Sequence, residues 1–340
     1  MLIPRTKILW VPKTLFSPRD YWKLSKGHLS VWVALSALPG YLVCAPIDLG
    51  AVSGILAGTA LASASSQALN QLAESDRDSK MARTKNRPLP CGRITREDAY
   101  KFALVTAATG SGRLTAVSSS LAPATIALST IALYVGVYTP MKTQSNYNTH
   151  VGAIAGSLPV LIGFACAGGF DVFLTSSAPW IFFTLQTLWQ FPHFYPLAWM
   201  YRDDYRAGGY RMFPLSDESG RETAQMCAPY MAALSVVPFV SSAIGATTWM
   251  FPVTGSVINA IWLKQFSAFH ANPTKSTARQ YFLGSLSYLM LMMGAFVLHV
   301  KPMQNEFDWR ESVKKRFSKY CIHEAAVNEC NVPSLCPTSS

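Results

Sequence analysis

Three oxygen-bearing side chains recur at four-residue intervals in this sequence: Asn70, Glu74 and Asp78. On an α-helix that spacing places all three on one face, within about 80° and roughly 12 Å along the axis. Amide and carboxylate oxygens suit Mg²⁺, which commonly shares its coordination with phosphate oxygens. The stretch therefore predicts a Mg²⁺ site. The alternative is a solvated run of charges at the end of a helix, which requires no metal.

Basic side chains follow these acids at Arg83, Lys85 and Arg87. Guanidinium and ammonium groups hold phosphate oxygens through charge-assisted hydrogen bonds, so acids and bases this close together predict a Mg²⁺–diphosphate site. Lys26 and Lys142 border two of the apolar segments. Each is either a phosphate ligand or an interfacial anchor whose ammonium group reaches the lipid headgroups.

A second polar cluster occupies residues 202–211 and contains Asp203, Asp204 and Tyr205. Its acids are candidates to bind a second cation, or the same diphosphate through a metal. His193 lies inside the apolar segment that precedes this cluster. An ionisable residue at membrane depth is costly and is a candidate functional residue; the alternative is a packing histidine with its hydrogen bonds satisfied.

The composition indicates a polytopic membrane protein. Half of the 340 residues are hydrophobic and 14% are charged, whereas a soluble domain carries about 25% charged residues. Only helices can cross a bilayer as single segments with their backbone groups paired. We therefore predict an all-α membrane bundle of nine spans, each near the ~20 residues that a bilayer core requires: 29–47, 51–69, 99–118, 121–140, 151–169, 179–200, 226–246, 248–269 and 281–300.

Basic residues are concentrated on one side of this bundle. The N-terminal segment and the loops at 70–98, 141–150, 201–225 and 270–280 share that side and carry most Lys and Arg residues, whereas the opposite loops carry only Arg113. The positive-inside rule places these loops in the cytoplasm or the mitochondrial matrix. The basic C-terminal tail falls on the other side and disagrees with the rule. A net charge of +11 thus indicates membrane orientation rather than a nucleic-acid partner.

The chain divides into a basic segment at 1–28, a transmembrane domain at 29–300 and a polar tail at 301–340. The first 19 residues are basic and free of acids, as in a mitochondrial import leader. The tail contains three of the seven cysteines and reads as an amphipathic or disordered appendix. The sequence contains no CxxC pair, so it does not predict a zinc site. It also contains no Rossmann or Walker glycine motif, so it does not predict a nucleotide-binding fold.

Several ordered strings between residues 20 and 300 resemble one family. The strongest is Trp189-Gln190-x-Pro192-His193-Phe194, which accompanies the face formed by Asn70, Glu74 and Asp78. The chain is similar to the UbiA superfamily of membrane prenyltransferases, and within it to the branch that farnesylates heme. The other matching strings are Leu24-Ser25-Lys26, Met81-x-Arg83-Thr84-x-x-Arg87-Pro88-Leu89-x-x-Gly92, Tyr138-Thr139-Pro140-Met141-Lys142 with Asn148 and Gly152, Asp204-Tyr205, Gly208-Gly209-Tyr210-x-Met212, Ala278-Arg279 and Ser285-Leu286.

The resemblance implies a UbiA-like fold and a specific reaction. The farnesyl group of farnesyl diphosphate joins a vinyl group of heme B (protoheme IX), water adds to give heme O, and diphosphate leaves. The implied Mg²⁺ ligands are Asn70, Glu74 and Asp78 for one ion and Asp204, together with Asp203, for a second. The implied phosphate contacts are Arg83, Arg87, Lys142 and Lys26, and the residues implied on the heme side are His193 and Tyr205.

Two details point to the mitochondrial branch of that family: Glu74, where bacterial relatives usually have Asp, and the string at 208–210. The implied location is the mitochondrial inner membrane, with a bacterial plasma membrane as the alternative, and heme A synthase is the implied downstream partner. Thr143 departs from the family pattern, because an Arg often follows the lysine there. That departure weakens the grip expected of this loop on diphosphate.

Two other functions remain open at this level. One is a UbiA-type prenyltransferase that acts on an aromatic quinone ring, although the strings at 192–194 and 204–205 favour heme. The other is an anion or metal-ion transporter, in which intramembrane polar groups would line a path through the bilayer. The acids cluster at one membrane face, which suits a pocket better than a path.

Overall fold

The computed structural model describes residues 17–301, and this part of the chain is helical. Its extended backbone pairs in one isolated bridge, between Thr247 and Val300. The prediction of an all-α protein is therefore confirmed. Most of the predicted leader at 1–28 and the tail after Lys301, including Cys321, Cys330 and Cys336, lie outside the described residues.

Within residues 17–301 the main elements are nine long helical segments. They are α1 (Gly27–Cys44), α2 (Leu49–Asp78), α3 (Arg96–Ser118), α4 (Ala122–Met141), α5 (Asn148–Gly168), α6 (Ala178–Met200), α7 (Arg221–Ala243), α8 (Met250–Ala271) and α9 (Lys275–His299). Short helices at Pro18–Leu24, Val172–Thr175 and Arg202–Ala207 and a 3₁₀ turn at Phe213–Leu215 lie between them.

Six of these segments, α1, α2, α4, α5, α7 and α9, are long and apolar enough to cross a membrane. The multi-pass membrane architecture is confirmed, and the count of nine spans stays a prediction. Segments α3, α6 and α8 are long enough but more polar. Charged residues open α3, for example, and α6 carries Gln, His and two internal prolines.

The length of α2 determines where the polar face at 70–78 lies. Asp48 caps its start by accepting a hydrogen bond from the Ala51 N–H at 2.9 Å. The 30 residues of α2 span about 45 Å, against about 30 Å for a hydrocarbon core. The last turns of α2 therefore extend toward the membrane surface, and close packing in the bundle, such as Gly163 against the Ala37 carbonyl, holds the helices below them.

The loop between α6 and α7 is anchored by a buried carboxylate, Asp217. Its oxygens accept hydrogen bonds from the backbone N–H groups of Gly220 and Thr223, both at 2.8 Å, and from the hydroxyls of Thr223 and Ser219. Burial opposes ionisation, but these hydrogen bonds outweigh it and hold the pKa of Asp217 below its usual value. The carboxylate thus satisfies the exposed donors at the start of α7.

We expect Asp217→Asn to lower the free energy of unfolding by about 1–3 kcal/mol at pH 7, because an amide replaces an ionised acceptor of four hydrogen bonds. The depressed pKa gives stability that is present above about pH 4 and is lost as the pH falls through the folded-state pKa. The difference from the unsubstituted protein should therefore shrink on acidification. Thermal unfolding in detergent against pH measures it, with the exposed neighbour Glu218→Gln as control. Equal stability at pH 7 would contradict the role of the cap.

Candidate active site

The three side chains of the predicted metal site lie together at the end of α2. Asn70, Glu74 and Asp78 share the face that their spacing predicts, and their exposed fractions are 0%, 4% and 1%. Ionised carboxylates are buried only where they are paired or bind a metal. The alternative of a solvated run of charges therefore does not describe this face.

Each of these three side chains contacts a different basic side chain. Lys26 donates from Nζ to Asn70 Oδ1 at 3.3 Å, and Lys142 Nζ donates to Glu74 Oε1 at 2.8 Å. Arg87 Nη1 donates to Asp78 Oδ2 at 2.6 Å. The three bases come from the turn before α1, the segment after α4 and the loop after α2. Each predicted metal ligand is thus matched one-to-one with a predicted phosphate ligand.

Lys142 is the most strongly held of these cations. Its ammonium lies 4.5 Å from the centre of the Tyr138 ring and 5.7 Å from that of Tyr134, within the range of cation–π attraction. Burial alone would lower the pKa of Lys142, but Tyr138, Glu74 and Tyr134 outweigh it and raise this pKa well above its usual value. Lys142 therefore stays protonated, and the reading of it as an interfacial anchor does not fit its burial.

Lys26 reaches the site from a strained backbone position. It precedes α1 with φ of 45°, in the left-handed region that residues other than glycine rarely adopt. Such a conformation persists where surrounding contacts hold it, and it is common at functional sites. Burial, together with the positive charges of Arg87 and Lys142, lowers the pKa of Lys26 to about 7.

The donor set fits a magnesium ion. Asp78 Oδ1 is buried and has no hydrogen-bond partner among the described residues, so one carboxylate oxygen remains for a ligand. Within residues 17–301 no group of three or more His, Cys, Asp and Glu side chains could hold a metal by itself. Mg²⁺ typically takes only one or two carboxylates and completes its shell with water and substrate phosphate. Asn70, Glu74 and Asp78 offer that hard-oxygen set.

The second polar cluster packs onto the first. Asp204 Oδ1 accepts a hydrogen bond at 3.1 Å from the backbone N–H of Ala82, which lies just after α2. Arg83 lies between the rings of Tyr201 and Tyr205, with its guanidinium carbon 5.3 and 5.5 Å from their centres. Its Nη2 also donates to the Tyr205 hydroxyl at 3.3 Å. The two motifs, about 125 residues apart in the sequence, therefore meet at one end of the bundle.

Two predicted residues lie apart from these contacts. Asp203 is 76% exposed, and its nearest cations are Arg202 and Arg206 on its own short helix, at 3.9 and 3.7 Å. His193 is stacked between Trp189 and Phe282, with ring centres 4.3 and 4.6 Å away. Their roles as a metal ligand and a heme ligand stay predictions.

His193 also has a defined hydrogen bond. Its Nδ1 lies 2.6 Å from the Ser285 hydroxyl, and that hydroxyl donates to the Phe282 carbonyl at 2.5 Å. Because the hydroxyl has only one proton, His193 Nδ1–H is the donor in their contact. No residue in the described part of the chain hydrogen-bonds to the other ring nitrogen, Nε2, so the histidine is packed and keeps one nitrogen for a ligand.

Several site residues were not assigned a role from the sequence. Thr139 accepts a hydrogen bond from Asn70 Nδ2 at 3.0 Å and donates to the Tyr134 carbonyl at 2.8 Å. Tyr134 and Tyr138 lie in a π-helical stretch, Leu133–Tyr138, which turns both rings toward Lys142. Burial beside the Glu74 carboxylate raises the pKa of Tyr210. The available signal was the string at 138–142, whose aromatic and hydroxyl residues adjoin the lysine.

A bundle of membrane helices that gathers oxygen ligands and cations at one end provides a membrane-embedded site suited to a magnesium-bound anion. The sequence model of the UbiA prenyltransferase family matches residues 31–293, and the chain belongs to this family.

Relatives with assigned names support the same placement. The protoheme IX farnesyltransferase of Opitutus terrae is 36% identical over 281 residues, which cover 82% of this chain and 94% of that protein. The mitochondrial protoheme IX farnesyltransferase of Arabidopsis thaliana is 35% identical over 291 residues, 85% of this chain and 66% of the plant protein. The expected resemblance to the heme-farnesylating branch is confirmed.

Solved structures share the fold at low sequence identity. A digeranylgeranylglyceryl phosphate synthase superposes with a TM-score of 0.65 at 13% identity, over 82% of this chain and 97% of that one. A UbiA homologue from Archaeoglobus fulgidus bound to DMAPP and Mg²⁺ gives a TM-score of 0.58 at 15% identity, over 82% and 99% of the two chains. The predicted UbiA-like fold is confirmed.

Proposed function

We propose that this chain transfers the farnesyl group of farnesyl diphosphate to a vinyl group of protoheme IX. A water molecule adds to the same side chain, which gives heme O, and diphosphate is released. The named relatives from Opitutus terrae and Arabidopsis thaliana support this choice of substrates. The polar end of α2 supports a site for the diphosphate.

The observation that carries the proposal is the set of three one-to-one pairs at that site, Asn70 with Lys26, Glu74 with Lys142 and Asp78 with Arg87. When the magnesium complex of a diphosphate ester binds, each side chain of these pairs would exchange one partner for another. The amide and carboxylate oxygens would bind Mg²⁺, and the ammonium and guanidinium groups would bind phosphate oxygens. Substrate binding then leaves no buried charge unpaired, which would be costly.

The same groups assist the breaking of the allylic C–O bond. Negative charge grows on the departing diphosphate, and fixed cations aimed at it lower the barrier electrostatically. A Mg²⁺ ion held by Asn70, Glu74 and Asp78 would further neutralise that charge. Asp204 is the candidate ligand for a second ion. The rings of Tyr134 and Tyr138 offer aromatic faces to the allylic cation.

We place the heme side of the site along α6 and the short helix after it. His193 keeps Nε2 without a hydrogen-bond partner among residues 17–301, and Tyr205 borders Arg83. The proposed location is the mitochondrial inner membrane, because relatives from a plant and from Neurospora crassa have mitochondrial names. The basic loops would then face the matrix, and heme A synthase would consume the product.

Expression of the full chain in cells that lack heme O tests the proposal. Extracted hemes, separated by chromatography and weighed by mass spectrometry, should contain heme O only when the chain is present. Protein that reaches the membrane and folds without producing heme O would contradict the function. A prenylated quinone in its place would indicate the aromatic acceptor, and ion uptake by proteoliposomes without diphosphate release would indicate a transporter.

A further inference from the structure

The polar face of α2 continues into the bundle below the diphosphate site. Thr59, Ser63, Ser66 and Gln67 precede Asn70 at spacings that keep them on its side of the helix. Gln67 lies one turn below Asn70, about 4.5 Å along the axis. All four are buried. A stripe of hydroxyl and amide groups inside a membrane helix requires partners, because lipid offers none.

These side chains line a cavity between α1, α2, α4 and α5. Its volume is about 70 Å³. Ser63 is satisfied by a contact of 3.0 Å with the Ser30 hydroxyl. Three other polar atoms are buried and have no hydrogen-bond partner among the described residues: Thr59 Oγ1, Ser66 Oγ and Gln67 Oε1. Their residues are only 1%, 4% and 6% exposed.

Three residues in the wall of one cavity carry polar atoms that lack a hydrogen-bond partner among the described residues. A buried polar group left without a hydrogen bond loses the full free energy of its hydration. A buried water needs roughly 10–15 Å³ of free volume and two to four polar neighbours. The cavity has enough volume for a water molecule, and the side chains of Thr59, Ser66 and Gln67 in its wall are the candidate polar neighbours.

The cavity reaches toward the proposed diphosphate site. Tyr134 lines it, and the Tyr134 ring lies 5.7 Å from the ammonium of Lys142, which pairs with Glu74. The first carbon of the prenyl chain is bonded to the diphosphate, so the proposed function puts it beside that cluster. The vinyl carbon that receives the hydroxyl group is two bonds further away once the chains have joined.

We propose that this cavity supplies the water that adds during farnesyl transfer, and that Gln67, Ser66 and Thr59 are its water-binding residues. The proposal rests on the proposed function. The vinyl electron pair forms the new C–C bond as the C–O bond to diphosphate breaks, which leaves a cation on the inner vinyl carbon. A water oxygen lone pair then forms the C–O bond, and the proton released passes to the departing diphosphate.

Removal of the water-binding groups should change the product rather than stop the transfer. Without a positioned water, the cation loses a proton from the neighbouring CH₂ group, which gives an alkene lighter than heme O by one water. We expect the triple variant Thr59→Val, Ser66→Ala, Gln67→Met to lower the ratio of hydroxylated to dehydrated adduct at least tenfold. Mass spectrometry of the extracted hemes measures this ratio.

Matched variants separate this effect from misfolding. Ser65→Ala is the control, because Ser65 Oγ is equally buried and unpartnered but does not line the cavity; its product ratio should not change. Thr59→Val alone keeps the shape of the side chain and should also lower the ratio. This single variant tests the proposal if the triple variant does not fold. Membrane levels and thermal unfolding are recorded for each protein.

The outcomes are distinguishable. An unchanged product ratio in a folded variant that still transfers farnesyl would overturn the water proposal. A raised KM for farnesyl diphosphate with an unchanged ratio would also overturn it and would assign the cavity to the prenyl chain. Absence of any heme adduct from the unsubstituted protein would instead contradict the proposed function.

Discussion

Replacement of Asp78 by Asn should lower the rate of farnesyl transfer by about 10²–10³-fold or more, the range found when one preorganised electrostatic contact to a developing charge is lost. The substitution keeps the shape of the side chain but removes a negative charge from the proposed metal site. It acts on the Oδ1 atom that has no protein partner and on the Oδ2 atom that pairs with Arg87. Heme O formed per unit of membrane protein, measured against Mg²⁺ concentration, is the readout.

Asp76→Asn is the matched control for this experiment, because Asp76 lies on the same turn of α2 but is exposed. It should retain nearly full activity. If Asp78→Asn destabilised the protein instead, thermal unfolding would reveal it; we expect a small change, because Arg87 is 22% exposed and can be solvated. Full activity of Asp78→Asn, with an unchanged response to Mg²⁺, would contradict a role as metal ligand.

The face of α2 could be predicted because it depends on local geometry alone. A four-residue spacing fixes which side chains share a face as soon as the segment is helical, and Asn70, Glu74 and Asp78 do share one. The partners of these residues could not be predicted the same way. Lys26 and Lys142 are 44 and 68 residues from the side chains that they contact, and such contacts depend on how the helices pack.

The second cluster illustrates a further limit. Asp203 and Asp204 are adjacent, so on a helix their side chains point about 100° apart, and only one of them can face the loop after α2. That one is Asp204; the spacing of the two acids does not distinguish them, and only the family resemblance of the string Asp204-Tyr205 favoured it. The π-helical stretch at Leu133–Tyr138 and the left-handed backbone of Lys26 are similar cases, since tertiary packing imposes both.

The buried ion pair between Lys142 and Glu74 predicts a large loss of both stability and activity when one partner is removed. Both side chains are nearly inaccessible, at 10% and 5% exposure. Removal of one partner from such a pair costs about 3–5 kcal/mol, because the other charge stays buried without compensation. We therefore expect Lys142→Met to lower the free energy of unfolding by that amount and to abolish farnesyl transfer. Lys101→Met, which breaks the exposed pair with Glu97, should leave the free energy of unfolding nearly unchanged, because exposed ion pairs contribute little.

A double variant separates the two roles of Lys142. Lys142→Met combined with Glu74→Gln leaves no unpaired charge, so most of the lost stability should return, as it does when a buried ion pair is replaced as a whole. Activity should stay absent, because both the phosphate contact and the metal ligand are gone. Thermal unfolding and heme O formation, measured on the same membranes, test the two statements independently. A stable but inactive double variant would place the Lys142–Glu74 pair in the reaction itself, whereas recovery of activity with stability would show that the pair is only structural.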